Sequence, residues 1–353
     1  MDSKSQRFTL FLCLYHLMFA AIAWQYSSNN PGDAQRYWHL TQHWTSYLNI
    51  GTDVVKLINY PFAKILHLPY WTGFLIHSMI SYAGIYELYK FALKYINPIS
   101  SRSRYLLMLI FLLPNLHFWT SVIGKEPIVF LAITWILLKQ YGKAYLSFKY
   151  IFGWLLLILI RPHVAMFLLI SISLASIFSG KKLTRQKVIL ILASLVLTVG
   201  LYLLTMQLLN RNPFDIAYIL QRNDASLLAF KRAGSYVPMI DYNFVERLFA
   251  LNFRPVFSYS YSLFQAVLSM ESIMTLFIML YALYIYCRNY RTTRPDMFTG
   301  IAMLFFLISS LFFIQRYSCL GIFVRTRIMY LPFVLIAALK IINTAKPFRG
   351  NEL

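Results

Sequence analysis

The stretch YIFGWLLLILI-RPH-VAMFLLISISLASI, residues 150–177, consists of two apolar runs separated by Arg161, Pro162 and His163. With a few flanking residues, each run is about as long as the shortest helices that cross the hydrocarbon core of a bilayer. Proline and two polar side chains end the first run, so the chain is expected to turn there. Two membrane-crossing helices joined by a tight polar turn are the unit from which the fold is predicted.

The same pattern recurs along the whole chain. Its 353 residues are 59% hydrophobic and only 13% charged, which is more apolar surface than a water-soluble domain can bury. The sequence therefore predicts an all-α, polytopic membrane protein that forms a single unit over residues 1–353. The ten predicted transmembrane helices lie near 8–24, 72–92, 105–122, 127–141, 144–160, 163–179, 188–209, 263–287, 297–315 and 328–344.

Basic residues are concentrated in every second loop, and acidic residues are almost absent from those loops. The residues concerned are Lys4, Arg7, Lys94, Arg102, Arg104, Lys143, Lys149, Lys181, Lys182, Arg185, Lys187, Arg288, Arg291, Arg294, Lys346 and Arg349. The positive-inside rule predicts that these loops and both termini are cytoplasmic, in a bacterial inner (cell) membrane. Orientation and anionic headgroups account for the net charge of +21 better than nucleic-acid binding does.

The opposite, outer face is predicted to carry two long loops, at about 25–71 and 210–262, and three short ones. Within the long loops, residues 34–48, 54–66 and 242–251 mix aromatic and polar residues at helical spacing. This spacing predicts amphipathic helices that lie in the outer membrane interface.

Asp33 is the candidate catalytic residue. It follows Pro31 and Gly32 directly after the first predicted transmembrane helix. A helix N-cap is one interpretation, and a general base that deprotonates an acceptor hydroxyl is the other. Arg36 and Tyr37 follow it closely and are candidates for substrate binding.

The other candidates are ionisable residues that the positive-inside rule does not explain, because they lie on the outer side or inside an apolar helix. Arginine suits bidentate phosphate binding, and histidine suits a neutral or switchable donor. A cationic rim here would attract a phosphate or diphosphate carried by a lipid. Glu271 is instead interpreted as a buried partner of Arg254, with a catalytic role as the alternative. The candidates for substrate binding are Lys125, Glu126, Arg161, His163, Arg254, Glu271, Arg325 and Arg327.

The sequence indicates neither a metal site nor a cofactor. Cys13, Cys287 and Cys319 lie far apart, and His39 and His43 lack the glutamate of an HExxH motif.

Asp33 after a first membrane helix, interfacial helices in the outer loop and about ten membrane helices resemble the C-type (GT-C-like) membrane glycosyltransferases, such as the protein mannosyltransferases and the aminoarabinose transferase of lipid A. The sequences 118–126, 161–163 and 253–255 also resemble bacterial polysaccharide-biosynthesis membrane proteins. The resemblance implies an inverting, metal-independent sugar transfer from a polyprenyl-phosphate-linked donor to a lipid or glycan acceptor, with Asp33 as base. Lys125 and Glu126 stand where some members carry an acidic pair.

Two other functions fit the same pattern. An O-antigen or exopolysaccharide polymerase would use outer-loop arginines to hold two lipid diphosphates, and Asp33 would then be structural. A lipid-linked oligosaccharide flippase or transporter would place ionisable groups through the depth of several helices. The clustering of these groups near one face favours an enzyme, and Glu271 is the main exception.

Overall fold

The computed structural model describes residues 3–98, 100–178, 185–256, 263–290 and 295–344, and the described residues are mainly helical. The one β pairing among them is an antiparallel bridge between Tyr236 and Cys319. The α-helices are α1 Ser3–Asn29, α2 Asp33–Trp38, α3 Asp53–Tyr60, α4 Tyr70–Ile96, α5 Ser101–Phe111, α6 Pro114–Ser121, α7 Lys125–Tyr141, α8 Phe148–Ile160, α9 Pro162–Phe178, α10 Arg185–Leu208, α11 Ile216–Leu228, α12 Phe244–Phe253, α13 Leu263–Arg288, α14 Met297–Phe313, α15 Leu320–Arg327 and α16 Leu331–Thr344. Short 3-10 helices occupy Trp44–Tyr47 and Met239–Asp241, and a π turn occupies Pro61–Ile65.

Within the described part of the chain, three helical segments are long and apolar enough to cross a membrane: Ser3–Asn29, Ile191–Leu208 and Phe264–Arg288. Helices α15 and α16 meet at 57° and make a fourth if the bent pair is counted as one span. Helices α8, α9 and α14 are apolar but shorter. The all-helical prediction is confirmed for the described residues, and a few of their helices are long and apolar enough to span a membrane.

Large apolar side chains on several helices are exposed on the surface of the protein. Only 6% of the apolar part of α10 is buried, and Val196 on this helix is 74% exposed. Exposed apolar rows of this length are unfavourable in water but suit contact with lipid chains. In contrast, residues 126–134 of α7 and 331–339 of α16 are buried on all sides, as expected for helices at the centre of a bundle.

The predicted third transmembrane helix, 105–122, is broken in the structure. Helix α5 ends at Phe111, and α6 begins at Pro114, which occupies the first turn. Proline lacks the N–H that a continuous helix would need, so the break follows from the sequence. Asn115, the next residue, donates its backbone N–H to Glu271 Oε2 at 2.8 Å.

The predicted interfacial segments are helical in part. Segment 34–48 forms α2 and a 3-10 helix, 54–66 forms α3 and the π turn, and 242–251 lies in the region of α12. Several predicted loop residues lie outside the described part of the chain: 257–262, Lys181, Lys182, Arg291, Arg294, Lys346 and Arg349.

Helices α2 and α4 make close contact at Gly73. A Cβ atom on this residue would lie 2.5 Å from both the Trp38 ring and Ile123 Cδ1. Two bulky side chains from different segments therefore occupy the space that a methyl group would need.

We expect Gly73→Ala to lower the stability of the protein by about 1–3 kcal/mol, because Trp38 and Ile123 must move. Thermal unfolding in detergent measures this change. Gly200→Ala is the control, since a Cβ on Gly200 meets no atom within 4 Å, and its stability should be unchanged or slightly higher. Equal effects of the two substitutions would contradict the contact.

Candidate functional site

Asp33 lies at the beginning of α2, where Gly32 occupies the N-cap position. The carboxylate therefore does not act as the predicted cap. It pairs with Arg36 one turn later in the same helix and with Arg325 of α15, whose Nη1 lies 3.2 Å from Asp33 Oδ2. Asp33 remains partly accessible, since 29% of its side chain is exposed.

Glu126 is the most deeply buried charged group of the site. Its carboxylate is 1% exposed and accepts hydrogen bonds from two arginines, Arg161 at 3.0 Å and Arg325 at 2.7 Å. Gly124 permits this close packing, because a Cβ there would lie 3.1 Å from Glu126 Oε2. Each carboxylate oxygen of Glu126 thus has its own guanidinium group, which is the geometry that a buried charge requires.

Arg325 connects the two carboxylates. Its Nη1 binds Asp33, and its Nη2 binds Glu126, so Asp33, Arg325, Glu126 and Arg161 form one continuous ion network. These residues come from α2, α15, α7 and the turn between α8 and α9. We call Asp33, Arg36, Lys125, Glu126, Arg161 and Arg325 the outer cluster.

The charges of the outer cluster shift the pKa values of its members. Burial raises the pKa of Asp33, but Arg325, the hydrogen bond from Arg36 and Lys125 outweigh it, so the net pKa lies below the ordinary value. The carboxylate is therefore ionised at neutral pH. It contributes stability above the ordinary carboxyl range, and this contribution is lost as the pH falls through the lowered pKa. Burial and the negative charges of Asp33 and Glu126 raise the pKa of Tyr37 to about 12.

Lys125 differs from the arginines because its side chain makes no hydrogen bond to another described residue. Burial, followed by the positive charge of Arg161, lowers its pKa to about 8. Its amine is therefore the cation in the outer cluster that is free to bind an incoming anion or to lose a proton near neutral pH.

Two further N–H groups, one on Arg325 and one on the neighbouring Trp119, lack a hydrogen-bond acceptor among the described residues. The Arg325 guanidinium lies over the Trp119 ring at 5.5 Å, and the Nε–H of Arg325 and the Nε1–H of Trp119 are both buried without a partner among the described residues. A buried donor that lacks an acceptor costs free energy. With four cations around two carboxylates, this site is suited to an additional anion.

The remaining candidates lie elsewhere. Arg254 donates to the Tyr242 hydroxyl at 2.7 Å, and the Arg254–Glu271 ion pair expected from the sequence does not form. Glu271 instead accepts from the backbone N–H of Asn115, so it holds the beginning of α6. Arg327 donates to Leu251 O at 2.8 Å at the end of α12. These three residues hold helices together and do not extend the outer cluster.

His163 is two residues from Arg161 of the outer cluster, but its ring packs against aromatic side chains. Its ring lies 5.9 Å from that of Phe167 and 6.3 Å from that of Phe313, and it has no hydrogen bond to another described residue. The structure thus brings together Asp33, Arg36, Tyr37, Lys125, Glu126, Arg161 and Arg325, and it leaves His163, Arg254, Glu271 and Arg327 outside their ion network.

Two residues that hold α2 in place, Asn59 and His77, were not predicted from the sequence. Asn59 of α3 donates to Tyr37 O at 3.1 Å, and His77 of α4 lies 2.9 Å from Asn59 Oδ1. Both side chains are fully buried. Each of them is a polar residue among apolar residues of a predicted helix. Because buried polar groups are normally hydrogen-bonded, this pattern could have indicated that both side chains have partners.

Comparison of the chain with protein-family models, with curated proteins and with solved structures finds no match in any of the three. In the described residues, no three His, Cys, Asp or Glu side chains come together in a way that would hold a metal ion.

Substituting Glu126 tests the central ion pairs. We expect Glu126→Gln to lower stability by about 3–5 kcal/mol, because Arg161 and Arg325 would remain buried without a neutralising charge. Thermal unfolding in detergent measures the loss. The control is Asp53→Asn, which breaks a more exposed pair with Lys56 and should cost at most about 1 kcal/mol. Similar losses for both variants would contradict the buried-pair interpretation.

The reactivity of Lys125 tests its lowered pKa. Only the neutral amine attacks an acylating reagent, so the labelling rate should level off just above pH 8. Mass spectrometry of the labelled peptide over a pH series measures this rate, and Lys125→Met identifies the background. A rate that still rises steeply beyond pH 10 would show that burial does not lower the pKa of this amine.

Proposed function

We propose that the protein is a membrane glycosyltransferase in cell-surface polysaccharide biosynthesis. It would move a sugar from a polyprenyl-phosphate-linked donor to a lipid or glycan acceptor at the outer face. The observation that carries this proposal is the position of Asp33, a partly accessible carboxylate joined through Arg325 to a buried, cation-rich cluster.

The position of the outer cluster supports the proposed topology. Its members come from segments that the charge pattern assigns to the outer face. Other contacts join residues that lie in or near the loops predicted to be cytoplasmic. Lys149 pairs with Glu87. Tyr95 donates to Asp296 at 2.7 Å, and Lys340 donates to Tyr95 O at 2.7 Å. Ten membrane helices with both termini in the cytoplasm of a bacterial inner membrane accommodate both groups of contacts.

The donor phosphate would bind at the cationic side of the cluster. Lys125 has no hydrogen-bond partner among the described residues, and the Nε–H of Arg325 and the Nε1–H of Trp119 lack acceptors. As the bond between the sugar and the phosphate breaks, its electron pair leaves with the lipid phosphate, whose charge increases. Fixed cations in a site of low polarity stabilise this charge.

Asp33 would act on the acceptor. Asp33 would be a general base and not a nucleophile. The acceptor oxygen forms a bond to the anomeric carbon on the side opposite the leaving phosphate, and a carboxylate oxygen of Asp33 receives the proton of that hydroxyl. Because the pKa of Asp33 is low, this proton transfer is favourable only once the acceptor oxygen has become strongly acidic through bond formation. The configuration at the anomeric carbon is inverted.

A polymerase that joins lipid-linked oligosaccharides is the second candidate. The observation in its favour is that both oxygens of Asp33 are already engaged, one by Arg36 and the other by Arg325. In this alternative, Asp33 orients Arg325, and the arginines hold the lipid diphosphates. Glu271, the residue that most favoured a transporter, is hydrogen-bonded to Asn115, which supports an enzyme over transport.

The experiment compares Asp33→Asn and Lys125→Met in the native host, with analysis of surface glycans and lipid-linked intermediates. A transferase should lose the product and accumulate the donor in both variants, while membrane abundance stays normal. Asp53→Asn is the matched control, because Asp53 is an outer-loop carboxylate that pairs with Lys56 outside the cluster.

Two outcomes separate the alternatives. Single repeat units that remain on the surface while long chains disappear would indicate the polymerase. Normal glycans of normal length in Asp33→Asn, at normal abundance, would contradict a catalytic role for this carboxylate.

A further inference from the structure

A pocket with polar groups in its wall lies apart from the outer cluster. It is a cavity of about 380 Å³ between the end of α2, the π turn Pro61–Ile65 and the beginning of α4. No member of the outer cluster lines it. The wall includes Trp38, His39, Thr41, Lys64, His67 and Tyr70.

Several polar groups of this wall lack hydrogen-bond partners, although the His39 ring lies 5.3 Å from the Tyr70 ring. The side chains of His39, Lys64 and His67 make no hydrogen bond to another described residue, and the Tyr70 hydroxyl is buried without a partner. A buried hydroxyl in this state costs free energy unless a ligand supplies an acceptor. No Asp or Glu lines the pocket, so the wall offers donors and positive charge to an anionic ligand.

The neighbouring surface is apolar. Ile65 and Leu66 follow Lys64 directly and are 64% and 60% exposed, and the exposed Trp71 follows Tyr70. A lysine beside exposed aliphatic and tryptophan side chains is typical of a segment at the boundary between lipid chains and headgroups. An anion at this boundary is most readily supplied by a phospholipid.

We propose that this pocket binds the phosphodiester headgroup of an anionic membrane lipid. Lys64 and the two histidines would surround the phosphate, the Tyr70 hydroxyl would donate to one of its oxygens, and the acyl chains would follow Ile65 and Leu66. The proposal does not depend on glycosyl transfer, because it requires only that this end of the molecule lies at the membrane surface.

The test measures lipid binding to the full-length protein in detergent by native mass spectrometry, with phosphatidylglycerol as the anionic probe and phosphatidylcholine as the zwitterionic one. Phosphatidylglycerol should bind more tightly. Lys64→Ala should weaken its binding about fivefold, the effect of one cation near a charged headgroup. Lys56→Ala is the matched control in the same loop, because Lys56 already pairs with Asp53, and it should leave binding unchanged.

Tyr70→Phe separates a ligand contact from a structural role. Removing a hydroxyl that has no partner should leave the thermal stability of the lipid-free protein unchanged or higher, while binding weakens about two- to tenfold. Equal binding by the parent protein, Lys64→Ala and Tyr70→Phe would overturn the proposal.

Soluble probes distinguish the source of the phosphate. Glycerol phosphate and inorganic phosphate should displace phosphatidylglycerol only at concentrations far above that of the lipid. Displacement at equal concentration would assign the pocket to a soluble phosphate compound, and preferential displacement by galacturonate would assign it to an acidic sugar. Either result would overturn the assignment to a lipid.

Discussion

The structure of the site depends on the burial of one carboxylate between two guanidinium groups. Glu126 neutralises Arg161 and Arg325 together, and neither arginine has another carboxylate that is equally buried. Without Glu126, three segments distant in sequence would hold like charges close together in a region of low polarity. The same arginine also pairs with Asp33, so Glu126 helps to position the guanidinium group that Asp33 contacts.

Much of the cluster was predictable because membrane topology makes charge conspicuous. Lys125, Arg161 and Arg325 are cations on the side that the predicted topology assigns to the outer face, where the positive-inside rule predicts few of them. Asp33 directly follows the first predicted transmembrane helix. The ion pairs themselves were not predictable. The sequence predicted an ion pair between Glu271 and Arg254 from their opposite charges. In the structure, Glu271 accepts from the backbone N–H at the beginning of α6, and Arg254 donates to the Tyr242 hydroxyl. The partner of each charged side chain depends on how helices that are distant in sequence pack against one another.

Broken helices account for part of the difference between ten predicted transmembrane helices and the few long ones among the described residues, and α8, α9 and α14 are apolar but shorter. The first break is at Pro114, between α5 and α6. The second is the bend of 57° between α15 and α16. Irregular backbone is tolerated within a membrane protein where protein groups satisfy the freed N–H and C=O groups. The Glu271 carboxylate does this at α6. Trp119 of α6 and Arg325 of α15, which follow or precede these breaks, are in contact.

The hydrogen bonds from His77 to Asn59 and from Asn59 to Tyr37 O have a mechanical consequence. They attach the helix that carries Asp33 to α4, although α1 is its nearer neighbour along the chain. Any change in the tilt of α4 is therefore transmitted to the carboxylate. A movement of α4 relative to α15 would therefore change the distance between Asp33 and Arg325, the cation that it faces.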